Sequence, residues 1–189
     1  MKKADFTDAG LLTRETHIIV EMLKKGLTEK ETVNSILNNN LFQYGFNYEP
    51  KTKRNFNIII KRLKLAGNQV VDIFYNADFE EKQEICFAMV LEQSSLLRDF
   101  INQSILTFNR PTQKYYKNYM WLAFLDERYI DWSRKTAVKY GQTVLSILKE
   151  IGIVDGVREN KISGLLFSFK INNYLSKSNW GGASKAFVY

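Results

Sequence analysis

Residues 133–156 read SRKTAVKYGQTVLSILKEIGIVDG, and the spacing of their apolar residues is helical. The side opposite the apolar residues is polar and basic, and it contains no acidic residue before Glu150. Ser133 can cap a helix here, because its hydroxyl oxygen can accept a hydrogen bond from a first-turn N–H. The stretch therefore predicts a long helix that buries one side and presents lysines, an amide and hydroxyls on the other. The predicted apolar side consists of Ala137, Val138, Gly141, Val144, Leu145 and Leu148.

The elements predicted around this helix suggest how it is used. An aromatic-rich helix is predicted at 113–125, and the pair Asp155-Gly156 is compatible with the turn of a β-hairpin. Helix, turn, helix and hairpin follow one another in a winged helix-turn-helix, whose second helix enters the major groove of DNA. An ordinary surface helix followed by a loop explains the same pattern. On the DNA interpretation, the contacts come from Arg134, Lys135, Lys139 and Gln142 on the helix and from Arg158 and Lys161 on the wing.

A second basic segment, KTKRNFNIIIKRLK, covers residues 51–64 and follows Pro50, a residue that suits the first turn of a helix. Six like charges on one helix repel each other, and a polyanion would relieve that repulsion and release counterions. Two alternatives stay open: pairing with the acidic stretch 78–84, and a packing or dimer contact through the apolar residues Ile58 and Leu65 within the basic half. The core stripe is Phe56, Ile59, Ile60 and Leu63, and the candidate nucleic-acid contacts are Lys51, Lys53, Arg54, Lys61, Arg62 and Lys64.

Aromatic and basic residues also alternate between Arg110 and Trp121, in RPTQKYYKNYMW. Tyrosine and lysine together suit phosphate contacts, which makes Lys117 a further candidate. Exposed rings in this segment would stack on the bases of a single strand. The alternative is that the rings belong to the core.

The charge of the chain is unevenly distributed. The 189 residues include 27 Lys and Arg against 20 Asp and Glu, for a net charge of +7. Residues 50–65 hold six basic and no acidic residues, whereas residues 66–109 hold two basic and seven acidic ones. Concentrated positive charge favours an acidic partner, with nucleic acid as the first candidate.

The sequence argues against an enzyme. Its one cysteine, Cys86, and its one histidine, His17, exclude an intrachain disulfide framework and most thiolate or imidazole metal sites. Glycine-rich phosphate loops and the common hydrolase motifs are missing as well. We therefore predict no catalytic residue, no metal and no cofactor. The chain has no apolar run of about 18 residues to span a bilayer and no secretory signal, which predicts a cytoplasmic protein without a membrane contact.

The predicted fold is mainly α, and it is divided near Pro111. An N-terminal helical bundle is expected over residues 1–110, with helices at about 11–25, 28–38, 51–66, 78–92 and 94–108. A C-terminal unit is expected over residues 111–189, with the winged helix-turn-helix-like helix and a short β-hairpin. The basic, aromatic residues 165–189 at its end have no assigned structure.

Together, three features resemble the BrxA family of bacteriophage-exclusion (BREX) defence systems. These are the leucine-rich N-terminal helix, the loop leading into KTKRNFNIIIKRL, and SRKTAVKYGQTVLSILKEIGIVDG, so that the resemblance covers roughly residues 10–165. It implies a cytoplasmic, mainly helical, non-enzymatic protein that acts with methyltransferase, ATPase and phosphatase-like BREX proteins. It also implies binding of double-stranded DNA and a similarity to the RNA-binding protein NusB, and it makes the basic helix at 51–64 the strongest transferred site.

Three hypotheses follow from the sequence. The first is a DNA-binding component of a phage-defence assembly, which contacts mainly phosphates through the two basic helices. The second is an RNA-binding bundle of the NusB kind. The third is an assembly scaffold whose basic helix docks an acidic protein without binding nucleic acid. A homodimer stays open as a partner under each hypothesis.

Overall fold

The computed structural model describes residues 9–46, 48–106, 115–155 and 160–162. Within them the chain is mainly helical, which confirms the predicted fold class at that level. The α-helices are α1 Thr13–Lys24, α2 Glu29–Asn38, α3 Tyr48–Ala66, α4 Gln69–Asn76, α5 Phe79–Gln93, α6 Ser95–Phe100, α7 Asn118–Glu127 and α8 Arg134–Glu150. A π-helix, Ile101–Leu106, follows α6, and the two strands are β1 Val154–Asp155 and β2 Lys161–Ile162.

Residues 12–89 form one compact unit, which contains α1 to α4 and most of α5. Local signals set its helix boundaries: the Thr28 hydroxyl accepts from the N–H of Glu31 at 3.3 Å, and the Glu31 carboxylate accepts from the N–H of Thr28 at 2.8 Å. This capping box satisfies two N–H groups that the start of α2 leaves without intrahelical partners. The unit's core includes Ile19, Val20, Ile36, Ile59 and Phe74, which are fully buried.

The other compact unit comprises residues 1–11 and 90–189, and its described part contains the end of α5, α6, the π-helix, α7, α8 and the two strands. Its core is aromatic, since the ring of Phe100 meets the rings of Trp121 at 5.0 Å and Phe124 at 5.2 Å, edge to face. The strands pair antiparallel, with Val154 opposite Ile162. They lie where the sequence predicts a short hairpin, and the turn between them lies outside the described residues.

Two local predictions differ from the structure, and one helix was not predicted. In the described part of the helix predicted over 94–108, a short α-helix is followed by the π-helix, and α4 was not predicted. The helix predicted from residue 113 begins only at Asn118, because Lys117 before it has an extended backbone and the N–H of Tyr116 donates to the carbonyl of Asn160 at 2.7 Å. The predicted domain boundary near residue 110 and the tail 165–189 lie outside the described residues.

Candidate nucleic-acid interface

The outer side of α8 is an exposed basic surface. Arg134, Lys135, Lys139 and Gln142, the four residues predicted to contact DNA from this helix, are all exposed. Val138, which was predicted to be on the apolar side, is 39% exposed, so that assignment is wrong. At 100° per residue it falls between Arg134 and Gln142. The surface therefore presents cations, an amide and one apolar side chain, and it contains no carboxylate before Glu150.

The orientation of α8 is fixed by contacts on its inner side. The indole Nε1 of Trp121 donates to the carbonyl of Ala137 at 3.0 Å, and Gly141 faces the same ring. At the start of the helix, the Ser133 hydroxyl accepts from the N–H of Thr136 at 3.3 Å, which is the predicted cap. Because the inner side is buried against α7, the basic side of the helix must face solvent.

The basic side of α3 is exposed as well, with one exception. Lys51, Lys53, Arg54, Lys61 and Lys64 are exposed. Arg62 is only 1% exposed, so the prediction that places it among the outward cations is wrong. Its position at 100° per residue is close to the boundary between the two sides, and the fold turns it inward with Ile59 and Leu63.

Two of the α3 lysines form ion pairs. Lys53 pairs with Glu49 one turn earlier, and Lys64 pairs with Glu29 of α2 at 2.7 Å. The ammonium of Lys51 lies 4.0 Å from the centroid of the Tyr44 ring. Glu49 and Glu29 both lie outside the acidic stretch 78–84 that the sequence offered as an alternative partner. Since both pairs are exposed, each contributes about 0–1 kcal/mol, and the lysines remain accessible to a stronger anion.

Tyr44 connects the loop before α3 to two other elements. Its hydroxyl donates to Glu15 of α1 at 2.7 Å and accepts from the buried amide of Asn55 in α3 at 2.6 Å. Burial, and then the hydrogen bond to Glu15, raises the pKa of Tyr44 above the ordinary value of 10.0. The phenol is therefore a neutral structural link that holds the start of α3 in place.

The aromatic segment before α7 is divided between core and surface. Tyr116 and Trp121 are buried, as the core alternative holds, and burial raises the pKa of the Tyr116 phenol. Tyr115 and Tyr119 are exposed. Lys117 is exposed at the N-terminal end of α7, with its ammonium 5.8 Å from the ring centroid of Tyr115. Of the rings predicted to stack on bases, only those of Tyr115 and Tyr119 are thus accessible in the described part of this segment.

The two predicted wing contacts stay predictions. Lys161 lies in β2, opposite Asp155, and its side chain is not described. Arg158 lies outside the described residues.

The described residues contain no cluster of three or more His, Cys, Asp or Glu residues that could hold a metal ion. Cys86 is a buried free thiol. In the same part of the chain, no helix combines the length and apolar content that crossing a membrane requires.

Comparisons with known proteins identify proteins that are similar to this chain in sequence and fold. A family model described as BrxA matches residues 3–179. The BREX protein BrxA of Paramagnetospirillum magneticum is 26% identical over 184 residues, which cover 94% of this chain and 91% of that protein. The BREX protein BrxA of Escherichia coli O9:H4 is 20% identical over 168 residues, which cover 85% and 78%. A crystal structure of an uncharacterized protein from Magnetospirillum magneticum has the same fold, with a TM-score of 0.83 at 24% identity over 98% of this chain and 97% of that one.

Proposed function

The chain belongs to the BrxA family, and we propose that it is a non-enzymatic, cytoplasmic component of a BREX bacteriophage-defence system that binds double-stranded DNA. Its contacts go mainly to phosphates, from the basic sides of α3 and α8. Its protein partners on this proposal are other BREX proteins, including the methyltransferase, the ATPase and the phosphatase-like protein.

The observation that carries the proposal is the division of α8. Its apolar side is buried against Trp121, while Arg134, Lys135, Lys139 and Gln142 are exposed on the other side. Such a helix can enter a major groove. Lysine and arginine can contact phosphates or guanine there, and glutamine can contact adenine. The preceding α7 and the following strand pair have the order of a winged helix-turn-helix, which supports α8 as the groove helix.

A specific observation favours each of two other functions. The exposed rings of Tyr115 and Tyr119, with Lys117 between them, suit single-stranded RNA, as in the NusB-like hypothesis. The exposed Phe46, in the loop before α3, suits a protein contact, as in the scaffold hypothesis. Neither feature involves the basic side of α8, so charge reversal on α8 separates the DNA hypothesis from both.

A salt-titrated binding assay tests the proposal. A labelled duplex, an RNA hairpin and a single strand are each titrated with the protein by fluorescence anisotropy at several salt concentrations. The wild type is compared with Lys135→Glu/Lys139→Glu in α8 and Arg54→Glu/Lys61→Glu in α3. Lys25→Glu/Lys30→Glu is the control, because it reverses the same number of exposed cations outside both surfaces.

We expect the wild type to prefer the duplex, with a steep loss of affinity as salt rises. Each cation that neutralises a phosphate contributes about 0.9 to the slope of log K against log salt, so each double variant should flatten it by roughly 1.8. The control should keep the wild-type slope. Equal weakening in all three variants would indicate a general charge effect and contradict the assigned surfaces. Negligible duplex binding at physiological salt, with a stable complex with BREX proteins, would favour the scaffold.

A further inference from the structure

The turn between α7 and α8 holds a tyrosine in an unfavourable backbone conformation. Tyr129 has φ 52°, in the left-handed region. Its N–H donates to the carbonyl of Asp126 at 3.0 Å, and the next N–H, of Ile130, donates to Leu125 at 3.1 Å. These two bonds form a Schellman motif, in which the residue at the left-handed position is usually glycine. In that conformation the Cβ of any other residue crowds the following carbonyl oxygen.

Four other described helices end with a glycine or an asparagine at the left-handed position. The left-handed residues just after α1, α3 and α8 are Gly26, Gly67 and Gly152, with φ of 87°, 86° and 78°. After α2 the residue is Asn40, with φ 44°, and asparagine tolerates this conformation better than most side chains do. Among these helix ends, only the one before α8 carries a large aromatic residue.

The ring of Tyr129 does not stabilise the turn. It is 95% exposed, and it has no hydrogen bond or ring contact within the described part of the chain. Its neighbours fix the turn instead: Arg128 pairs with Asp99 at 3.0 Å and lies 4.7 Å from the centroid of Phe124. Trp132 packs on Tyr140, with 5.0 Å between ring centroids. The turn thus presents a solvent-exposed phenol from a backbone that is already ordered.

We propose that Tyr129 is a DNA-contact residue whose hydroxyl donates a hydrogen bond to a phosphate oxygen beside the α8 surface. The inference rests on the proposed duplex binding. A phenolic hydroxyl is a donor at neutral pH, and tyrosine is among the side chains that contact DNA phosphates. Arg134 and Lys135 begin α8 only five and six residues later, so the phenol precedes a positively charged helix. An ordered turn adds little further loss of conformational entropy when the contact forms.

The test uses the opposite effects expected on stability and on binding. Tyr129→Gly removes the steric crowding and should raise the Tm by roughly 2–4 °C. The same change should weaken duplex binding about tenfold, the value expected for a lost hydrogen bond to a charged group. Tyr129→Phe keeps the ring and the crowding, so its Tm should stay unchanged while its affinity falls about as far. Tyr75→Phe is the matched control, because it removes an exposed phenolic hydroxyl from α4 rather than from α3 or α8, and it should keep wild-type affinity.

The salt dependence provides a second readout. The neutral phenol displaces no counterion, so Tyr129→Phe should lower log K by the same amount at every salt concentration. Wild-type affinity in Tyr129→Phe, or a lower Tm in Tyr129→Gly, would overturn the inference. If the Lys135→Glu/Lys139→Glu variant still loses affinity in that case, the proposed function stands without Tyr129. If the wild type does not bind duplex DNA, the proposed function itself fails.

Discussion

Gly141→Ala in α8 should destabilise the protein, although the same change in an open helix stabilises it. A Cβ added to Gly141 would lie 2.9 Å from Cδ1 and 3.4 Å from Cγ of Trp121. The ring has little freedom to move, because it is fully buried, donates to the carbonyl of Ala137 at 3.0 Å and meets Phe100 edge to face at 5.0 Å. The helix or the indole must therefore shift to admit one methyl group.

The expected size follows from opposing contributions. Replacing glycine by alanine inside a helix gains about 1 kcal/mol of stability. Overpacking a well-filled core costs about 1–3 kcal/mol, and weakening the indole hydrogen bond costs about 1 kcal/mol more. The balance is a net loss of about 1–3 kcal/mol, which lowers the Tm of a chain of this size by roughly 2–12 °C.

Tryptophan fluorescence during urea and thermal unfolding measures this effect selectively. Trp121 and Trp132, two of the chain's three tryptophans, lie in the described part of the unit that contains residues 90–189, and Trp180 lies outside the described residues. Ser146→Ala is the control, because this exposed site on α8 has no comparable crowding. In a Trp121→Leu background, the penalty of Gly141→Ala should shrink or change sign, since the clashing atoms are gone. A more stable Gly141→Ala in the wild-type background would refute the close packing of α7 on α8.

Two further predictions concern the unit formed by residues 12–89. Arg62→Ala should lower the free energy of unfolding by about 2–4 kcal/mol, because the side chain is buried. Lys61→Ala, at the exposed neighbouring position, should leave the free energy of unfolding unchanged. Similar urea midpoints for the two variants would contradict the burial of Arg62. Tyr44→Phe should cost about 1–3 kcal/mol, because the amide of Asn55, which is 2% exposed, loses its 2.6 Å bond. The folded-state pKa of Tyr44 is raised, so the phenol ionises at a lower pH in the unfolded chain than in the folded one. Wild-type stability should therefore fall as pH rises through 10.0, and this alkaline loss should be smaller in Tyr44→Phe. Equal losses in both proteins would contradict the raised pKa.

Local signals in the sequence predict much of the helical framework. The capping box of Thr28 with Glu31 and the cap of Ser133 are both formed in the structure. These features need only residues within one turn of each other, so they can be read without knowing the fold. The periodicity of α8 likewise predicts its buried and exposed sides, except that Val138 lies on the exposed side.

The failures arise where contacts between distant segments decide the outcome. Helical periodicity places Arg62 near the boundary of the α3 core stripe, and only packing determines that it turns inward. Tyr116 is not helical, because its N–H pairs with Asn160, a residue 44 positions away in the sequence. Tyr129 gave no sequence signal, since its conformation becomes evident only from the turn. The basic surface of α8 was thus predictable from the sequence, whereas the packing contacts around α3 and α8 were not.

On the proposed DNA binding, the ion pairs of α3 should reduce the contribution of this helix without removing it. To contact a phosphate, Lys53 and Lys64 must leave Glu49 and Glu29, and each freed carboxylate would then lie near the phosphate and repel it. Arg134 and Lys135 of α8 form no ion pair within the described residues, so their binding to phosphate carries no such penalty. Because exposed ion pairs are weak, the α3 penalty is at most about 1 kcal/mol per lysine. Duplex affinity should therefore depend on both basic surfaces, and more strongly on Arg134 and Lys135 of α8 than on the paired Lys53 and Lys64 of α3.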